Sequence, residues 1–167
     1  MRPDRINQQR LIHLEEILEI EYEKLGEFQK ELDLSASANA NFELRQRIKR
    51  EILPSIRKHE VEYGELLAKE SEAFLISEPD AETAIIQVTQ AVEHLESSPL
   101  DKYPDEMRQL LMDIREKLED PGKTAAAKLK VALPVIPLIA SYEMELDTEA
   151  SIVRVWRGIK TLFSNKA

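Results

Sequence analysis

The tripeptide Gly122-Lys123-Thr124 is the first place to look for chemistry, because Gly-Lys-Thr at the start of a helix ends the Walker A loop that cradles nucleotide phosphates. That loop also needs a glycine at position 117 and a buried strand before it. Position 117 is Lys, and an amphipathic helical pattern precedes it, so the tripeptide reads as a turn and a helix N-terminus. Metal chemistry would fall to His13, His59 and His94. Carboxylate-bridged metal bundles place Glu three residues before His, whereas Arg10, Ile56 and Ala91 stand there. His59-Glu60 begins like His-Glu-x-x-His, but Tyr63 takes the second His position. His59, three after Ile56 and four before Tyr63, reads instead as a partly buried residue of an apolar stripe.

Carboxylates abound in "HLEEILEIEYEK" (residues 13–24), yet nothing sets one pair apart as an acid and a base. No Gly-x-Ser-x-Gly occurs, and the absence of Cys removes thiol catalysis, disulfides and thiolate metal sites. The expectation is a non-enzymatic protein without a cofactor or a metal.

The elements that would position any site are helical. The 167-residue chain is the size of one domain, and 43% apolar with 33% charged residues and only four Gly points to long, solvated helices. Leu11, Leu14, Leu18, Leu25, Phe28 and Leu32 recur at spacings of three, four and seven, predicting a first helix from Ile6 to about Asp33, about 42 Å long at 1.5 Å per residue. "SASANAN" is a turn. A second helix, about Asn41 to Leu75, carries Leu44, Ile48, Ile52, Ile56, Tyr63 and Leu67, with a kink at Arg50 to Leu53 imposed by Pro54. The two form a long antiparallel hairpin over residues 6–75. Shorter helices over 80–97, capped by Asp80, and over 104–119, started by Pro104, complete an acidic four-helix body, residues 1–122.

Residues 123–167 differ in texture. Val131 to Ala140 holds ten residues without a polar side chain, with Pro134 and Pro137 inside and Ile136 and Leu138 among them. Pro134 is expected to force Leu133 out of helical geometry, and Pro137 to open a short helix. A strand over 142–146 is the alternative, since Tyr142, Met144 and Leu146 alternate with Glu143 and Glu145. Asp147 is the expected cap of a last helix. There Ile152, Trp156, Ile159 and Phe163 form an apolar arc flanked by Arg154, Arg157 and Lys160. This helix either closes the core or lies in a membrane interface. The fold class is thus all-α, an antiparallel helical bundle with a long N-terminal hairpin and a C-terminal amphipathic helix.

Charge is split along the chain: residues 1–120 hold 16 basic against 28 acidic side chains, and residues 121–167 hold seven against four. The acidic body repels nucleic acid, while the basic segment suits an anionic surface. "MRPDRINQQR" has no apolar core of a secretory signal, and no run reaches the length that spans a bilayer. A cytoplasmic protein with peripheral membrane contact is the expectation.

The stretches "LEEILEIEYEKLGEFQKEL", "NFELRQRIKREILPSIRKHEVEY" and "SYEMELDTE" resemble the N-terminal helical modules of bacterial STAND-type, NLR-like NTPases. The resemblance implies an effector or adaptor acting by self-association, partner recruitment or membrane damage. No NTPase activity carries over, since no Walker A motif is present. Two functions compete: an interaction module that meets a protein partner or itself as a homo-oligomer through the hairpin, and a membrane-active effector using Trp156, Ile152, Ile159, Phe163, Arg154, Arg157, Lys160, Ile136 and Leu138.

Overall fold

The apolar spacing and the scarcity of glycine produce helices throughout a computed structural model that describes residues 5–70, 76–146 and 151–164. In order these are α1 (Arg5–Leu34), α2 (Ala38–Arg47), α3 (Leu53–Glu70), α4 (Glu78–Glu96), α5 (Asp105–Leu118), α6 (Ala125–Ala132), α7 (Ile136–Glu145) and α8 (Ser151–Ser164). A π-helical turn, Ile48–Ile52, joins α2 to α3, and a 3-10 turn, Leu100–Lys102, precedes α5. The all-α bundle expected from the sequence is the observed fold.

Each boundary has a local cause. The Ser37 hydroxyl accepts from the Ala40 N–H at 3.3 Å, so the hairpin turn is only Ser35–Ser37 and the second long helix starts three residues before its predicted point. Pro54 has no N–H for the carbonyl four residues back and its ring crowds that turn. The helix widens just upstream, with the Leu53 N–H bonded to the Ile48 carbonyl, where the kink was predicted. The cap of α4 is Ser77 rather than Asp80: its hydroxyl accepts from the Asp80 N–H at 3.2 Å, leaving Asp80 in the first turn beside the positive end of the helix. Thr124 caps α6 by accepting from the Ala127 N–H at 3.2 Å, so Gly-Lys-Thr is a turn and a helix start. The predicted Asp147 cap and the second helix beyond Glu70 lie outside the described residues.

Around the prolines one expectation is corrected, and the short helix opened by Pro137 is found in place of the strand alternative. Leu133 keeps right-handed helical angles despite Pro134, because its N–H still bonds the Leu129 carbonyl at 3.0 Å and its side chain is fully buried. The segment 142–146 is the last turn of helix α7 with its C-cap Leu146, and not a strand. No neighbouring strand exists among the described residues to take its hydrogen bonds, and Pro137 in the first turn presets the helix. The axes of α6 and α7 meet at 52°.

The four N-terminal helices do not close a core alone. Helix α7 packs against α3, α5 and α8, while α4 packs against α5, α6 and α8. One apolar core therefore runs from Leu14, Tyr63 and Leu67 through Val88 and Leu111 to Ile139 and Trp156. The charge boundary near residue 122 is not a packing boundary. Gly64 explains how α3 approaches the α6–α7 bend: a Cβ there would lie 2.7 Å from the Leu133 carbonyl oxygen and 2.8 Å from Pro137 Cγ.

Candidate functional site

Helix α8 brings the sequence-predicted residues to very different places. Ile152, Trp156, Ile159 and Phe163 are buried in the core, as is Ile136 on α7; Leu138 is half-buried. Arg154 and Arg157 are exposed, and Lys160 is half-buried. Trp156 is 1% exposed and meets Tyr63 edge-to-face, with ring centroids 6.3 Å apart at 84°.

Beside this ring pair lies a buried polar cluster. Glu60 on α3 is 2% exposed. Both its oxygens accept from Lys160 Nζ at 2.8 Å, and Oε2 also accepts from the Tyr22 hydroxyl at 2.7 Å. Lys160 Nζ lies 5.7 to 5.8 Å from the ring centroids of Tyr22, Tyr63 and Trp156, and Arg157 stacks over Tyr22 at 5.3 Å. Burial, followed by the Glu60 charge and its hydrogen bond, pushes the Tyr22 phenol well above its ordinary range, so it stays neutral and donates. The Tyr63 hydroxyl donates to Glu15 at 2.6 Å. The groove above has a volume of about 350 Å³, with Leu18, Glu19 and Thr161 completing its walls.

Geometrically this is a lock that ties α3 to α1 and α8. The Glu60 carboxylate takes three donor contacts, two from the Lys160 ammonium and one from the Tyr22 hydroxyl. The His59 Nδ1 contacts Glu21 at 2.6 Å, a second α1–α3 link, and Arg10 pairs with Glu62 further along the same seam. Hydrogen bonding from Arg10 holds the Glu62 carboxyl below the usual range. No group of three His, Asp or Glu able to hold a metal ion occurs among the described residues.

A second buried carboxylate anchors α8 at its start. Glu143 on α7, fully buried, accepts from the Val153 N–H at 3.0 Å and from the Ser151 hydroxyl at 2.9 Å. An anion is placed where the helix presents unpaired donors and its positive end. Sequence reasoning missed both carboxylates, although a signal existed. Glu60 falls on the stripe Ile56, Tyr63, Leu67, and Glu143 follows Ile136, Ile139 and Ala140 at helical spacing. A charged residue on an apolar stripe announces a buried partner.

The other candidate surface is the far half of the hairpin. Residues 26–51 include no buried side chain. Phe28, Leu32, Leu44 and Ile48 face one another across the seam only half-buried, and Arg47 lies over the Phe28 ring at 4.8 Å. At the turn, Leu34 and Phe42 are 78% and 63% exposed.

The fold and these two regions define an all-α bundle with a protruding helical hairpin. Comparison with protein-family profiles, with curated proteins and with solved structures finds no match.

Proposed function

We propose that the chain is a non-enzymatic helical signalling or adaptor module that works through self-association or partner binding by its distal hairpin. The observation behind this reading is the uncovered apolar surface of residues 26–51, ending in exposed Leu34 and Phe42. Large apolar groups left in water at the tip of a projecting element mark a contact surface. The saturated polar groups elsewhere fit a structural and not a catalytic use. An adaptor role in bacterial immunity-type signalling follows from the sequence resemblance.

Light scattering over a concentration series tests it. The wild-type mass should rise with concentration, and Leu34→Ser with Phe42→Ser should hold the chain as a monomer. A wild-type chain that stays monomeric throughout, at low and high salt, removes self-association.

The membrane-active reading has one observation in its favour. Helices α6 and α7 together have the length and composition of a bent span, although no single described helix is long and apolar enough to cross a membrane. Insertion would require Ile136, Ile139, Trp156 and Phe163 to leave the core, together with rupture of the Lys160–Glu60 pair. Absence of dye leakage from anionic liposomes under every oligomerising condition would end this reading.

A further inference from the structure

The distal hairpin carries two charged stripes that its own fold leaves unused. On α1, Glu23, Glu27 and Glu31 are all exposed, spaced by four residues, and none forms an ion pair among the described residues. Like charges at this spacing destabilise a helix. On α2 and the π turn, Arg45, Lys49 and Arg50 are likewise exposed and unpaired. The nearby Arg47 and Arg57 differ, being bound to Glu51 and Glu145. The two stripes sit on neighbouring antiparallel helices of one molecule and yet do not meet, because each is turned away from the apolar seam that joins the helices.

We infer that the partner of the hairpin is a second copy of this chain, with the acidic stripe of α1 in one molecule docked on the basic stripe of α2 and the π turn in the next. This rests on the self-association reading above and names its surfaces. Charge favours the pairing: α1 against α1 would set six carboxylates together, offset only in part by Lys24 and Lys30, and α2 against α2 six cations, offset in part by Glu43, whereas α1 against α2 joins surfaces of opposite net sign. Net acidity points the same way, since a basic stripe in a chain of charge −9 finds its most abundant complement on another copy.

Where each molecule engages a neighbour through one stripe the contact is heterologous, because the surface it offers differs from the one it receives; a two-fold pair that used both stripes at once would close as a dimer. A molecule engaged through its acidic stripe still has its basic stripe free, and growth continues beyond the dimer. Each junction is weak. The hairpin over 26–51 can offer one neighbour about half its residues, fewer than the roughly 20 to 30 per side of a standard interface. Assembly therefore depends on concentration, and on salt because the charges are exposed.

The experiment uses the full chain and two neutralised variants, one carrying Glu23→Gln, Glu27→Gln and Glu31→Gln, the other Arg45→Gln, Lys49→Gln and Arg50→Gln. All six sites are exposed, and circular dichroism checks that helicity is kept. In sedimentation velocity the wild type should grow past the dimer, with growth suppressed by salt. Each variant alone should be weakened about tenfold or more, which is about 1.4 kcal/mol per junction. An equimolar mixture of the two retains one intact junction and should give a 1:1 pair and nothing larger.

Variants that assemble like the wild type overturn the stripe pairing, as does a mixture that stays monomeric while the wild type assembles. If the stripe variants still assemble while Leu34→Ser with Phe42→Ser does not, the hairpin self-associates through its apolar tip and only the stripe pairing falls. A wild type that is monomeric at every concentration removes both.

Discussion

Helix α1 is two helices in one: Leu14 and Leu18 are almost completely buried, whereas Phe28 and Leu32, continuing the same stripe, are half in water. Spacing and residue type are equivalent along its length. The difference lies in what stands opposite. The proximal half faces α3 with α8 close by, Lys160 and Arg157 reaching Tyr22, whereas the distal half faces α2, which buries no side chain, and the π turn, which buries only Ile52. An apolar stripe specifies that a helix has a side to cover, not how many neighbours will cover it. The body has the anatomy of a core, and the tip leaves Leu34 and Phe42 in water.

That contrast can be broken from the body outward. The largest effect is expected from Trp156→Ala, which removes the largest buried side chain and its contact with Tyr63. A loss of about 4 kcal/mol in urea unfolding is anticipated. Lys160→Met, leaving Glu60 buried with only the Tyr22 donor, should cost about 3 kcal/mol, and adding Glu60→Leu should restore most of it. A double variant as unstable as the single one would contradict the view of this pair as a lock.

Gly64→Ala tests how closely α3 sits on the α6–α7 bend. The Cβ has no room against the Leu133 carbonyl, and about 2 kcal/mol is expected, read again from urea midpoints. Tyr22→Phe should cost about 1 kcal/mol at neutral pH through the lost hydrogen bond to Glu60. Its pH dependence carries a sign. The folded chain holds the phenol neutral above its ordinary value, so the contribution is complete below about pH 10 and is lost as pH rises beyond it. The wild type should therefore lose stability at alkaline pH more steeply than the Phe variant. The smallest effect belongs to the tip. Leu34→Ser with Phe42→Ser should change monomer stability by no more than about 0.5 kcal/mol while abolishing self-association, which sharpens the division between core and contact surface.

Much of the fold was legible in the chain. The 3.6-residue periodicity marked the helices, and Pro54 marked the distortion that the structure resolves as a π turn. Pro104 marked the start of α5. Errors arose where local rules met tertiary packing. Leu133 stays helical before a proline because its burial outweighs that local preference. For Tyr142 to Leu146, where helical and alternating periods competed, the helix is what forms, no partner strand being present among the described residues. Ser77 took the cap expected of Asp80, since hydroxyl and carboxylate serve equally and only backbone geometry chooses.

Of the candidate site, the sequence by itself determined the ingredients: an apolar arc on the last helix with basic residues on its flank, a hairpin with a continuous stripe, and an acidic body followed by a basic segment. Those follow from residue type and helical period, which are local. Only the tertiary structure decided that Ile152, Trp156, Ile159 and Phe163 close the core, that Lys160 turns inward onto Glu60, and that Glu143 holds the start of α8. The same structure left residues 26–51 uncovered. Burial is a relation between segments distant in the chain, Lys160 and Glu60 being 100 residues apart, and no local pattern encodes which segments will meet.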